Sequence, residues 1–168
     1  ADNPKFLHQF NQQISLCSPV SLKITRSEKR LLQKYLKPYL SAFSTFLSKK
    51  NELIKLTTQF PHKSPEEIDR KWSQEVEGES GALYQFIMKS TLSLFLVDMQ
   101  KSSNGNITEI LAIDTDGYSI GLSQVTTDLF QGDEAQYLQT LPHDEPQIYI
   151  SDVIYDDSTG TYQSQVSF

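Results

Sequence analysis

The sequence predicts an α+β domain in which a long N-terminal helix packs on an antiparallel sheet. Three observations carry that expectation. Between residues 25 and 58, Leu31, Leu32, Tyr35, Leu36, Tyr39, Leu40, Phe43, Phe46 and Leu47 recur at three and four and form one apolar stripe. From residue 107 the period changes to short apolar and β-branched runs separated by Asp- and Gly-rich turns. Helices come first and strands after, the order of an α+β chain rather than an alternating one. A chain of 168 residues is long enough for one domain with a real core. We divide it into an N-terminal arm (1–24), a helical part (25–106) and a sheet part (107–168).

Residues 1–24 give little pattern. Phe6, Leu7, Phe10 and Ile14 have loose helical spacing, which Ser18-Pro19 breaks, so a short helix and an ordered arm both fit. Thr25-Arg-Ser-Glu28 is a capping box and opens the long helix. Pro38 lies inside it and is expected to kink or divide it. The stripe continues weakly through Leu53, Ile54 and Leu56 to Phe60-Pro61-His62. Ser64-Pro65-Glu66-Glu67 starts a second helix, with Ile68, Trp72 and Val76 on its apolar face and Trp72 as a core or interface anchor. After a break at Gly78 to Gly81, residues 82–100 read as a third helix, apolar around much of its circumference and therefore buried.

The loop 102–106 leads to a strand at 107–114, and Asp114-Thr-Asp-Gly117 supplies a turn in which Gly117 can take positive φ. Residues 118–123 return as the second strand. Residues 126–134 lead into a short helix ending near Leu141-Pro142. A third strand spans 147–155, Asp156-Asp-Ser-Thr-Gly160 turns the chain, and 161–168 reads as a fourth.

Charge is segregated along this chain. Residues 1–100 hold 14 Lys/Arg against 10 Asp/Glu, a net +4; residues 101–168 hold one Lys against 11 Asp/Glu, a net −10. The overall −6 argues against nucleic acid as a partner. A pocket built from the C-terminal half offers no cationic side chain beyond His143, so a cation, an amine or a polar neutral ligand suits it better than a carboxylate or phosphate.

Catalytic and metal-binding patterns are weak. His8, His62 and His143 are far apart in sequence, and the lone Cys17 has no evident base and cannot form an internal disulfide. Adjacent acids such as Asp133-Glu134 and Asp156-Asp157 point in different directions and make no dyad. Asp114-x-Asp116-Gly117 begins like a calcium loop but lacks the later ligands, so it reads as a turn. We expect no enzyme, no cofactor and no resident metal. The best ligand candidate is the polar segment 126–134. In it Asp128 is the residue expected to pair with a ligand amine or cation, with Gln131, Asp133, Tyr155 and Tyr118 as further candidates. The competing reading has Asp128 capping the following helix.

The runs 112–123, 126–134 and 150–158, read in that order, resemble the PAS-like Cache/PDC extracytoplasmic sensor domains. Such members show a strand ending in Asp-x-x-Gly, a second ending in Ser, a Thr-x-Asp segment, and an Ile-Ser strand with an Asp-rich turn. Glu66-Glu-Ile-Asp-Arg-Lys-Trp72 is similar to the upstream helix of small periplasmic members. The resemblance implies a long helix on a five-stranded PAS-like sheet, with a small-molecule pocket between the sheet and its covering loops. It also implies a periplasmic or extracytoplasmic place, and a membrane reached only through segments outside this chain. A homodimer is plausible by the same analogy. The fifth strand, after Phe168, is missing from the pattern, and the Arg-and-aromatic set that family members use for amino acids is not evident. The start at Ala1-Asp2-Asn3-Pro4 suits a mature N-terminus or an excised piece. Two other readings remain open at this level: an interaction protein dimerising through helix 25–58, and a divalent-cation sensor.

Overall fold

Thr25 opens the first helix as its sequence implies. Its N–H donates to Glu28 Oε2 at 2.7 Å and its Oγ1 accepts the Glu28 N–H at 3.3 Å. These bonds to Thr25 hold the Glu28 carboxyl below its ordinary range. In this computed structural model residues 23–48, 55–61, 63–141, 148–156 and 160–168 are described. Nearly all of the arm, with His8 and Cys17, lies outside them, as do Leu53, Ile54, His62, His143, Asp157 and Ser158.

Helix α1 (Arg26–Ser48) continues through Pro38 as one element rather than two. It buries no residue fully. It touches the core with Tyr39, Phe43 and Phe46, and the Phe46 ring stacks on Phe95 at 4.3 Å. Tyr35 Oη donates to the Ser103 carbonyl at 3.5 Å. Residue 35 therefore meets 103 while 46 meets 95, so α1 lies antiparallel to the helix that carries Phe95.

A single turn, α2 (Leu56–Gln59), precedes α3 (Pro65–Glu77). Ser64 and Glu67 form a reciprocal capping box, and Pro65 takes the first position, where its missing N–H costs nothing. Ile68 and Trp72 are the fully buried residues of α3. The single helix expected at 82–100 is instead two, α4 (Ala82–Met88) and α5 (Thr91–Ser102). Ser90 causes the restart: its backbone is extended and its Oγ accepts the Ser93 N–H at 3.0 Å, an N-cap inside an apolar run. The restart also resets the buried face. Leu83 and Ile87 point inward from α4, and Leu92, Leu96 and Met99 from α5, while Leu94 is left exposed.

Strands β1 (Leu111–Ile113) and β2 (Ser119–Leu122) form an antiparallel hairpin with a bulge after Ala112. Gly117 in its turn has φ 90°, and a Cβ there would come within 2.7 Å of Gly132 Cα. All four residues of β2 are buried. Helices α4 and α5 lie on it, and a Cβ on Gly121 would meet Leu92 Cγ at 2.6 Å. The sheet cover expected of the long N-terminal helix thus comes from α4 and α5, and α1 leans on α5 instead.

Beyond a short α6 (Ala135–Leu138) lie β3 (Tyr149–Ile150), β4 (Ile154–Asp156), β5 (Thr161–Gln163) and β6 (Val166–Ser167). They pair as β3 with β6 and β4 with β5, so the described strands make three two-stranded sheets rather than one. The strands expected at 147–155 and 161–168 are each interrupted where serine side chains take over the ladder. Ser151 Oγ accepts the Gln165 N–H at 2.9 Å, and Ser164 Oγ donates to the Ser151 carbonyl at 2.8 Å. The architecture is mixed helix and strand, with a long N-terminal helix and small antiparallel sheets.

Candidate functional site

The loop between β2 and α6 is held from two sides. From α3, Trp72 Nε1 donates to the Thr126 carbonyl at 2.9 Å, and Asp69 Oδ1 accepts the N–H groups of Leu129 at 2.8 Å and Phe130 at 3.1 Å. From the hairpin, the Ser119 N–H donates to the Leu129 carbonyl at 2.8 Å and the Gln131 N–H to the Gly117 carbonyl at 2.7 Å. Leu129 itself is fully buried and anchors the loop in the core.

On this frame Asp128 and Gln131 come together. Gln131, buried, donates from Nε2 to Asp128 Oδ1 at 2.8 Å and accepts at Oε1 from Gln136 Nε2 at 3.3 Å. Thr126 Oγ1 donates to the Asp128 carbonyl at 2.6 Å. Asp128 is half-buried. Burial pushes its carboxyl above the ordinary Asp range, and the nearby charges of Asp69, Glu134 and Asp133 push it further, against the Gln131 hydrogen bond. The ion pairs among the described residues are Lys55 with Asp116 and Lys71 with Glu75, so none of these four acids has a cationic partner there. A half-buried carboxylate in a negative field, aimed by an amide, is suited to accept from an ammonium or a hydroxyl.

The other candidates stand apart in varying degree. Asp133 is exposed and acts on Asp128 through its charge. Asp128 does not cap α6, whose N-cap position is Glu134. Tyr118 is buried, with its ring 5.2 Å from Phe130; burial raises its hydroxyl above the usual range, and Asp69 and Asp114 add to that. It lines a different space, an open recess of about 10 Å³, room for about one water, with Leu56, Thr57, Phe60, Lys63 and Ile68. That is small beside the roughly 300–1,000 Å³ of ordinary ligand pockets. Tyr155 is exposed on β4, its ring 5.1 Å from Tyr162, in a ribbon that pairs with neither the hairpin nor the loop.

Asp114 and Asp116 behave as turn residues. Asp114 Oδ1 accepts the N–H groups of Asp116 at 2.9 Å and Tyr118 at 3.0 Å, and Oδ2 accepts that of Leu56 at 3.3 Å. Asp116 pairs with Lys55 at 3.0 Å and Thr57 Oγ1 at 2.9 Å, and these bonds hold its carboxyl below the ordinary value. Among the described residues no three His, Cys, Asp or Glu side chains group to hold a metal ion.

Sequence reasoning missed Asp69, Gln136 and the indole N–H of Trp72 as parts of this site. One signal was present for Asp69. It stands three residues before Trp72, on the same side of α3, where an acid beside a core Trp needs a donor from elsewhere in the chain. Comparison with protein-family models, curated proteins and solved structures returns no match for this chain. No described helix is long and apolar enough to cross a membrane.

Proposed function

We propose that this chain is a small-molecule sensing or binding domain of the PAS-like Cache/PDC type, acting outside the cytoplasm. Its ligand is cationic, amine-bearing or polar neutral, and it is received at residues 126–134. The observation that carries the reading is Asp128, a half-buried carboxylate oriented by Gln131, surrounded by Asp69, Asp133 and Glu134 and facing no cation among the described residues. A bound ammonium would offset that repulsion and favour the charged form. The extracytoplasmic place and the PAS-like sheet rest on the order of sequence motifs in 112–158.

Binding without chemistry is the mechanism. A ligand that meets Asp128 in one loop conformation and not another shifts the population toward that conformation. The Asp69 and Trp72 bonds would carry the change to α3.

A thermal-shift screen of the metal-stripped protein tests this reading, with amino acids, amines, polyamines, organic acids and divalent ions as the panel. At 100 times its dissociation constant a ligand adds about 2.7 kcal/mol of stability. An amine that raises the melting temperature of the parent and not of Asp128→Ala supports the reading. A response to divalent ions alone replaces it with cation sensing. Silence across the panel from a cooperatively melting protein favours association through α1, a second reading that gains weight because α1 buries no residue fully and leaves Leu31 63% exposed.

A further inference from the structure

Helix α1 carries five Lys/Arg and one acid, all in its first twelve residues. Arg26, Arg30, Lys34 and Lys37 are spaced so that they share one stripe, and all four are exposed. The acid, Glu28, is turned back onto Thr25. Lys29 is engaged separately, donating to the Ile150 carbonyl at 3.2 Å. None of the four stripe cations takes part in an ion pair among the described residues. Helix stability does not explain Arg26, since the first turn of a helix disfavours cations. Leu31 borders the stripe three residues before Lys34 and is 63% exposed, with Tyr35 one turn further on. The stripe has an obvious complement in an anionic surface, and its exposed leucine suits the boundary of a lipid headgroup layer.

We propose that α1 docks through Arg26, Arg30, Lys34 and Lys37 on an anionic phospholipid surface, with Leu31 entering the headgroup region beside them. Two copies of α1 would repel each other across this stripe, so any association through α1 would have to use another of its faces. The proposal goes beyond the ligand-sensing reading and stands independently of it, because it uses no residue of the 126–134 loop.

The test is flotation of the whole chain with two vesicle compositions, phosphatidylcholine alone and phosphatidylcholine with phosphatidylglycerol. Binding is expected to the second and not to the first, and to weaken steeply as salt is added. Each cation near such a surface is worth roughly fivefold in partitioning, so Arg30→Gln/Lys34→Gln/Lys37→Gln is expected to lose roughly a hundredfold. These positions are exposed, and an unchanged melting curve verifies that the variant folds. The salt titration of the unaltered protein reads the same interaction without any substitution. Equal binding to neutral vesicles, binding insensitive to salt, or a folded triple variant that floats like the parent would overturn the proposal. Capture on polyglutamate without flotation would overturn it as well, in favour of an acidic protein surface.

Discussion

Asp69 accepts the backbone N–H of Leu129 at 2.8 Å from 60 positions away in the sequence. With Phe130 bonded to the same oxygen, one carboxylate fixes the middle of the candidate ligand loop. Removing it strands two amides in a partly buried place. Asp69→Ala is expected to cost about 2–4 kcal/mol. Asp69→Asn keeps an acceptor oxygen and should cost under about half as much. Urea denaturation of the two variants measures the difference, and equal losses would show that the carboxylate does not organise the loop.

Asp128 sets a pH dependence of a definite sign. Its folded-state carboxyl lies above the ordinary value of 3.8. The folded state therefore holds the proton more tightly than the unfolded chain, and this group's contribution to stability is full below 3.8 and lost as pH rises through the folded value. Asp128→Asn is expected to melt higher than the parent at neutral pH and to converge with it below 3.8, while losing any amine response. Melting curves across that range check both parts. A variant less stable than the parent at neutral pH would mean that the repulsion from Asp69, Glu134 and Asp133 is not felt.

Two buried serines should respond oppositely to the same change. Ser93 Oγ accepts the Leu122 N–H at 2.9 Å and donates to the Ile87 carbonyl at 2.6 Å, joining α4, α5 and β2. Ser93→Ala leaves the Leu122 N–H without a partner in the core and should cost about 1–3 kcal/mol. Ser119 Oγ is fully buried without a hydrogen-bond partner. Ser119→Ala removes an unsatisfied hydroxyl and should be neutral or stabilising. Chemical denaturation of both variants side by side gives the comparison.

Glu75 and Gly81 cap α4 together. Glu75 Oε2 accepts the Tyr84 N–H at 2.9 Å, and a Cβ on Gly81, whose φ is 114°, would lie 2.2 Å from the Glu75 carboxyl carbon. Glu75→Ala should cost about 1 kcal/mol, as the loss of a cap does. Gly81→Ala should cost about 1–3 kcal/mol through backbone strain and displacement of that carboxylate. The double variant should cost less than the sum, since both changes break the same bond. An additive double variant would separate the two residues.

The local chemistry of this chain is legible in its sequence. The boxes at Thr25 and Ser64, the positive-φ turn at Gly117 and the burial of Trp72 all follow from residues within a few positions of one another, because caps and turns are short-range hydrogen-bonding problems. Ser90 was legible in principle, but an unbroken apolar run masks a cap when its period is read alone. Asp128 and Gln131 could be named as neighbours three residues apart, whereas their meeting and the field around Asp128 depend on where α3 places Asp69. The long-range bonds of Asp69, Glu75 and Ser93, the cover of β2 by α4 and α5, and the division of the strands into separate ribbons belong to tertiary structure. The bonds satisfy a backbone group of one element with a side chain of another, the cover packs apolar side chains of separate elements, and no short-range pattern specifies either partner.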